Sequence, residues 1–201
     1  MEMCRSNRYL KTCCLLLLVL NFLLLGISSN DVVKTPNNNE STAIDRYQSS
    51  YIDLLENDGL VMPNLELLDV SAKSKKLLTE LCDDDSILFI CRVSQFHCQD
   101  CSSYVLEKAI KMFEGNSTNM KLVFFCDYEY RSLKIFLDKH PNLIGFEVYQ
   151  VPIVNLPIEA RTYPYFFTLS NNMVVHDIFL PDIDDPIRTD IYWNSISQKW
   201  R

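Results

Sequence analysis

The sequence predicts an α/β fold with a central mixed sheet flanked by helices, in one domain that follows an N-terminal extension. Three observations lead to this organisation. From residue 60 onward, short apolar runs alternate with longer amphipathic stretches, which is the pattern of strands interleaved with helices. The 201 residues suffice for one ordinary core but are few for two. The N-terminal segment differs in composition from the rest. We therefore predict a signal peptide or signal anchor at 1–29, a polar linker at 30–59 and the α/β domain at 60–201.

The N-terminal segment has the features of an export signal. Three basic residues precede the apolar run 13–27, which contains no acidic residue. The run is short for a bilayer span of ~20 residues, and the small residues at its end suit a cleavage site. A wider window, 12–29, allows a tilted span with its basic flank in the cytoplasm. The domain is therefore expected to be exported, either secreted after cleavage or membrane-anchored and facing the periplasm or another extracytoplasmic space.

The remaining elements follow in chain order. Residues 30–39 are polar and rich in asparagine, as in a tether, and residues 43–55 allow a short helix. Residues 145–157 fit an extra strand or a loop. Strand, helix and strand joined by short links predict a right-handed parallel crossover. The predicted strands are 64–70, 86–93, 121–126, 165–169 and 173–180, the last two antiparallel, and the predicted helices are 72–81, 102–113, 130–139 and 187–200.

Two cysteines stand where the second predicted strand leads into its helix, and open α/β sheets place their sites at such strand ends. Cys98 and Cys101 are separated by two residues at the helix start, close enough to form a disulfide. The helix N-terminus stabilises a thiolate and lowers the pKa of the first cysteine from its usual ~8.5. Cys98 is therefore the predicted nucleophile. Cys101, one turn further in, is the predicted resolving thiol.

These residues carry a family resemblance. Residues 88–113 resemble the active-site strand, CxxC and helix of the thioredoxin superfamily, and residues 60–70 resemble the opening of its membrane-tethered envelope members of redoxin type. Pro164 stands where that family has a cis proline facing the active-site sulfurs, and Tyr163 beside it would line the substrate groove. The resemblance implies thiol–disulfide exchange with protein thiols and disulfides, an upstream electron donor and no bound cofactor.

The chain departs from the family pattern around the cysteines. His97 replaces the usual tryptophan before the first cysteine, and Asp100 lies between the two. Arg92 stands six residues before Cys98, where thioredoxins have a buried acid. The Asp100 carboxylate should raise the pKa of Cys98 and favour a reductant or exchanger over a strong oxidant, with the more distant Arg92 opposing it. His97 either steadies the thiolate or shuttles its proton, or it only packs.

Other functions remain open from the sequence. A copper-binding or copper-chaperone protein would combine Cys98 and Cys101 with His140 or His176, because thiolate and imidazole ligands suit copper. A zinc site lacks a second pair of ligands at suitable spacing. A non-catalytic module would use the two cysteines as a structural bond. The formal charge of −7 argues against a nucleic-acid partner, since binding a polyanion requires a basic surface.

Three further cysteines belong to predicted core elements. Cys91 and Cys126 lie on strands expected to be neighbours, where buried reduced thiols are the simpler interpretation and a second pair the alternative. Cys82 ends the first predicted helix and is expected to be inert.

Overall fold

The described part of the chain forms a seven-stranded mixed sheet flanked by four helices. The structure is a computed structural model that describes residues 38–82, 86–114 and 119–200. The predicted export segment lies outside these residues. Within the described ranges, no helix is both long and apolar enough to cross a membrane. Residues from 47 onward form one compact unit.

The sheet has the order β2-β1-β5-β4-β3-β6-β7. Most predicted elements are confirmed to within a few residues. The strands are β1 (Glu66–Asp69), β2 (Ser74–Leu77), β3 (Ile87–Ser94), β4 (Met120–Asp127), β5 (Glu147–Gln150), β6 (Tyr165–Leu169) and β7 (Val175–Phe179). The helices are α1 (Asn38–Asn57), α2 (Gln99–Phe113), α3 (Tyr130–Lys139) and α4 (Pro186–Lys199). Short 3-10 turns span Leu78–Glu80, Pro141–Leu143 and Pro157–Arg161.

Two successive parallel crossovers place α2 and α3 on the same face of the sheet. Strand β4 runs parallel to β3, and β5 runs parallel to β4 on its other side. Because both steps go in the same direction and such crossovers are right-handed, their helices cover one face. Val105 of α2, Leu133 of α3 and Trp193 of α4 accordingly share one core cluster with Phe89 of β3. The opposite face is covered mainly by segments between strands.

The predicted helix 72–81 is wrong, because this segment forms the edge hairpin of the sheet. Strand β2 pairs antiparallel with β1 over its whole length. The Asp69 carboxylate accepts hydrogen bonds from the backbone N–H groups of Ser71 and Ala72, both at 2.9 Å, and Lys73 adopts a left-handed φ of 53°. This tight turn returns the chain onto β1, so pairing outweighs the helix propensity of the lysine and leucine residues.

Residues 145–157, predicted to be an extra strand or a loop, contain both a strand and a loop. Strand β5 lies between β4 and β1, and a 3-10 turn follows at Pro157–Arg161. The end of α1 binds this turn: the Asn57 side chain accepts a hydrogen bond from the Ile158 N–H at 3.0 Å, and Asp53 pairs with Arg161 at 2.7 Å. The helix predicted at 43–55 therefore extends to Asn57, and its last turns contact the α/β domain.

A charged residue occupies the middle of the sheet. Alternation along β3 sends Phe89, Cys91 and Val93 toward α2, which turns Arg92 to the opposite face, where it is only 2% exposed. Its Nε donates to Glu159 at 2.8 Å, and its two Nη groups donate to the carbonyls of Val151 and Pro152. Burying a charge is costly unless it is paired and hydrogen-bonded, and here both conditions hold.

Replacing Glu159 with alanine should lower the free energy of unfolding by about 3 kcal/mol, because it leaves a buried guanidinium without its carboxylate. Arg92→Met should cost less, since the Glu159 side chain is 26% exposed and keeps contact with water. Urea denaturation measures both. Glu66→Ala is the matched control, because Glu66 pairs with Lys75 at an exposed surface and its loss should cost no more than about 0.5 kcal/mol. Equal losses for the two glutamates would contradict a buried network.

Candidate functional site

The turn between β3 and α2 is held by residues from two strand ends. The Ser94 hydroxyl donates to the Asp127 carboxylate at 3.0 Å and accepts from the Phe96 N–H at 3.3 Å. The Gln95 N–H donates to the Asp127 carbonyl at 2.9 Å. These bonds join the carboxyl ends of β3 and β4, which are parallel neighbours. The turn is therefore fixed at this edge of the sheet, and it determines the position of Cys98.

Cys98 is the N-cap residue of α2 and its side chain is exposed, whereas Cys101 is half-buried one turn further in. The pKa of Cys98 is lowered, first by the hydrogen bond from the Cys101 backbone N–H and then by one from the Cys101 thiol. Burial, followed by the bond to Cys98, raises the pKa of Cys101 to about 11. The fold thus shifts the pKa values of the two thiols in opposite directions, and Cys98, the thiol that ionises more easily, is the one exposed to solvent.

Asp100 has a smaller effect than the sequence suggested. Its charge does raise the pKa of Cys98, but its backbone N–H lowers it, and the bonds from Cys101 are the leading influence. The net shift of Cys98 is downward. The expectation that the carboxylate raises this pKa is confirmed for its own contribution, and the hydrogen-bond contributions from the helix start outweigh it.

His97 is neutral near pH 7. Its Nδ1 accepts a hydrogen bond from the Ser94 N–H at 3.0 Å, so the neutral ring carries its proton on Nε2. Burial, with a further contribution from the Arg92 charge, lowers the pKa of His97 to about 4. A neutral ring cannot steady a thiolate by its charge. His97 can still donate one hydrogen bond from Nε2.

Pro164 lies beside the strand that leads to the cysteines. It is buried directly before β6, whose first residue, Tyr165, is the register partner of Arg92 on β3. The side chain of Tyr163 is 53% exposed. The cis bond expected before Pro164 is wrong, because no cis peptide bond occurs in the described residues. Two residues earlier, Thr162 ends the 3-10 turn with a left-handed φ of 57°.

Two cavities border His97. One, of about 210 Å³, separates the start of α2 from α3, and we call it the α2–α3 cleft; Gln99, Ser102, Phe136 and Lys139 are among its lining residues. The other, of about 170 Å³, contains two carboxylates and is called the acidic cavity. It is lined by Arg92, Ser94, Phe96, His97, Asp127, Glu159 and Thr162.

The structure does not assemble the ligands of the metal-binding alternatives. Among the described residues, no group of three or more histidine, cysteine, aspartate or glutamate side chains is placed to hold a metal ion. His140 lies in the α2–α3 cleft, with its ring centroid 4.6 Å from that of Phe136. His176 lies on β7 and pairs with Asp58 at 3.5 Å. Neither histidine forms a ligand cluster with the two cysteines.

Cys91 and Cys126, the two cysteines of the central strands, are free thiols. Cys91 and Cys126 are fully buried on adjacent strands, and burial raises the pKa of Cys126 to about 12. Cys91 lies opposite Phe124, which offsets it by two residues from Cys126. Such diagonal neighbours are ~7–8 Å apart, too far for a disulfide without backbone movement. The interpretation as buried reduced thiols is confirmed.

Several residues of the site escaped the sequence analysis. Glu159 partners Arg92 from 67 positions away, and Asp127 clamps Ser94 from 33 positions away. No local pattern marks either carboxylate. A buried arginine on a strand does imply a carboxylate partner, but the sequence does not say which one. Ser102 also lines the α2–α3 cleft without any motif to distinguish it from a core helix residue.

Comparison with known proteins supports the fold and nothing finer. No family model and no curated protein matches the sequence. Among solved structures, a Chlorobium tepidum protein described as a thiol:disulfide interchange protein DsbE superimposes with a TM-score of 0.51 at 14% identity, over 69% of this chain and 96% of that one. A yeast mitochondrial 1-Cys peroxiredoxin superimposes with a TM-score of 0.51 at 13% sequence identity, over 71% of this chain and 78% of that one. The chain therefore has a thioredoxin-like fold.

His97→Gln should flatten the dependence of stability on pH. The folded pKa of His97 is about 4, below the ordinary 6.5, so the unfolded chain binds more protons between these values. Wild-type stability should consequently be lost as the pH falls from 6.5 toward 4, and this loss should be smaller in the variant. Urea denaturation at several pH values measures it. An unchanged difference between pH 7 and pH 4.5 would show that His97 ionises freely in the folded protein.

Proposed function

We propose that this chain is an exported thiol–disulfide oxidoreductase of the reductant or exchange type. The observation that carries the proposal is the pairing of an exposed Cys98, whose pKa is lowered at the start of α2, with a half-buried Cys101, whose pKa is raised. Thiol–disulfide exchange requires one thiolate accessible to the partner and a second thiol protected until the mixed disulfide has formed.

The exchange proceeds in two displacements. The Cys98 thiolate attacks one sulfur of a partner disulfide, which breaks that bond and releases a partner thiolate that takes up a proton. Cys101, once deprotonated, then attacks Cys98. This forms the Cys98–Cys101 disulfide and releases the second partner thiol. The partner gains two electrons, and an upstream dithiol donor must return two electrons to the pair.

Formation of the mixed disulfide itself activates Cys101. In the reduced pair, both the hydrogen bond with Cys98 and the charge of Cys98 raise the pKa of Cys101. Both influences disappear when Cys98 is bound to the partner, because its sulfur no longer carries a negative charge. The pKa of Cys101 therefore falls in the step in which it must act, although its burial persists.

Exposed apolar side chains around Cys98 support a polypeptide partner. Phe96 is 74% exposed, Ile153 60% and Tyr163 53%. All three lie in connections at the sheet edge where β3 and β5 end and β6 begins. Several large apolar side chains exposed at the same end of the sheet as the thiol are typical of an interaction surface.

The location of the protein is part of the proposal. The basic flank and apolar run before residue 28 support export, with the domain either anchored to the membrane or released after cleavage. An extracytoplasmic compartment would supply disulfide substrates. Fractionation of cells that produce the full chain, followed by protease treatment of intact cells or spheroplasts, tests this part independently of the chemistry.

Cys101→Ala should accumulate mixed disulfides with partner proteins, because the resolving step is lost while the attack by Cys98 remains. Cys98→Ala should form none. Non-reducing electrophoresis after acid quenching measures the complexes. Cys82→Ala, which removes a thiol outside the pair, should behave as wild type. Trapping by the Cys98 variant alone would reverse the assigned roles.

Asp100→Asn should make the Cys98–Cys101 disulfide easier to reduce, because it removes the negative charge that raises the pKa of Cys98. The wild-type potential is expected nearer ~−270 mV than the ~−120 mV of a dedicated oxidant, and the variant should be less negative than wild type. Equilibration with glutathione or dithiothreitol measures both. Asp138→Asn makes the same charge change at an exposed position on α3 and should leave the potential unchanged. A wild-type potential above about −150 mV would rule out the reductant assignment.

A further inference from the structure

The α2–α3 cleft adjoins the reactive cysteine. His97 and Gln99, the residues on either side of Cys98, both line it. A partner joined to Cys98 through a mixed disulfide would therefore present the residues around its own cysteine to the mouth of the cleft. At about 210 Å³ the cleft is smaller than the ~300–1,000 Å³ of sites for drug-sized ligands. Its size suits one amino-acid side chain.

The polar groups of the cleft favour a hydrogen-bond acceptor. Lys139 is exposed at the end of α3, lines the cleft and makes no ion pair with a described residue. Burial raises the pKa of Tyr128 to about 12, so its hydroxyl keeps its proton. His97 presents Nε2–H, because its Nδ1 is occupied. None of the described residues that line the cleft is acidic. Glu107 is near enough to influence His140, but it is not a lining residue.

One lining residue lacks the partner that its burial requires. Ser102 is 2% exposed on α2, and its hydroxyl has no hydrogen-bond partner among the described residues. Leaving a buried hydroxyl unpaired costs ~1–3 kcal/mol, and more than nine in ten buried polar groups find a partner. A group seated in the cleft that accepts a hydrogen bond would satisfy this hydroxyl.

We propose that the α2–α3 cleft is a specificity pocket for an acidic side chain of the partner polypeptide, located close to the partner's reacting cysteine. The inference rests on the proposed function and adds the substrate class. Lys139 supplies the opposite charge, and the hydroxyl and ring N–H groups supply donors to the carboxylate. The acidic cavity, which also borders His97, contains Asp127 in addition to the Arg92–Glu159 ion pair, and its remaining negative charge would disfavour the same group.

Pairs of disulfide peptides that differ only by glutamate or glutamine test the proposal. The acidic residue is placed in turn at each of the three positions on either side of the cysteine, and steady-state reduction by the wild-type protein is followed. At one or more positions, glutamate should lower KM about two- to fivefold with kcat little changed, as expected for an exposed charge pair. Equal KM values for every pair would overturn the proposal.

Variants at two lysines distinguish a charge effect within the cleft from an effect of the protein's net charge. Lys139→Met should abolish the preference for glutamate, and Lys139→Glu should reverse it in favour of lysine peptides. Lys134→Met removes the same charge from an exposed position of α3 outside the cleft and should retain the preference. Loss of the preference in both methionine variants would overturn the proposal in favour of a general charge effect.

Ser102→Ala provides a second readout. The preference for glutamate should decrease while thermal stability stays the same or rises, because the substitution removes an unpaired buried hydroxyl. The ratio of KM values for the two peptides corrects for any effect on the neighbouring Cys101. Reduction of the glutamine peptides reports the proposed function separately. Activity on them without a glutamate preference would refute the pocket alone, whereas no Cys98-dependent activity on any peptide would refute the oxidoreductase.

Discussion

The ion pair between Arg92 and Glu159 is the constraint on which the geometry of this end of the sheet depends. A guanidinium buried on the central strand must be neutralised, and it is held by a carboxylate and by the carbonyls of Val151 and Pro152. All three partners belong to the segment between β5 and β6, so Arg92 attaches this segment to β3. Because Thr162 follows the 3-10 turn that carries Glu159, the same contacts bring this segment to the cavity that it shares with Phe96 and His97.

The chemistry of the two cysteines follows from the backbone more than from neighbouring charged side chains. Hydrogen-bond contributions from the start of α2 outweigh the charge of the nearby Asp100 carboxylate, so the pKa of Cys98 is lowered. Burial acts in the opposite direction on Cys101. A helix that begins at an exposed cysteine and places a second cysteine one turn inward therefore gives two chemically identical thiols different acidities.

His97 lies between the two cysteines' helix and the neighbouring cavities without carrying charge. Its ring is fixed by the Ser94 N–H and separates a cavity that contains carboxylates from a cleft that offers mainly donors. This asymmetry gives the two cavities beside His97 different electrostatic character. A partner polypeptide of the proposed reaction would meet different chemistry at each cavity, and such differences are a basis of specificity.

The sequence by itself determined the central part of the fold and the candidate pair Cys98 and Cys101, because apolar periodicity and helix-start geometry are local properties. Helix α3 and strand β6 have the predicted bounds. Only tertiary structure decided that 72–81 is a hairpin, since strand pairing overrides helix propensity. It also decided the neutral state of His97 and the partner of Arg92, because burial and contacts across 67 positions depend on the folded chain and leave no local signal.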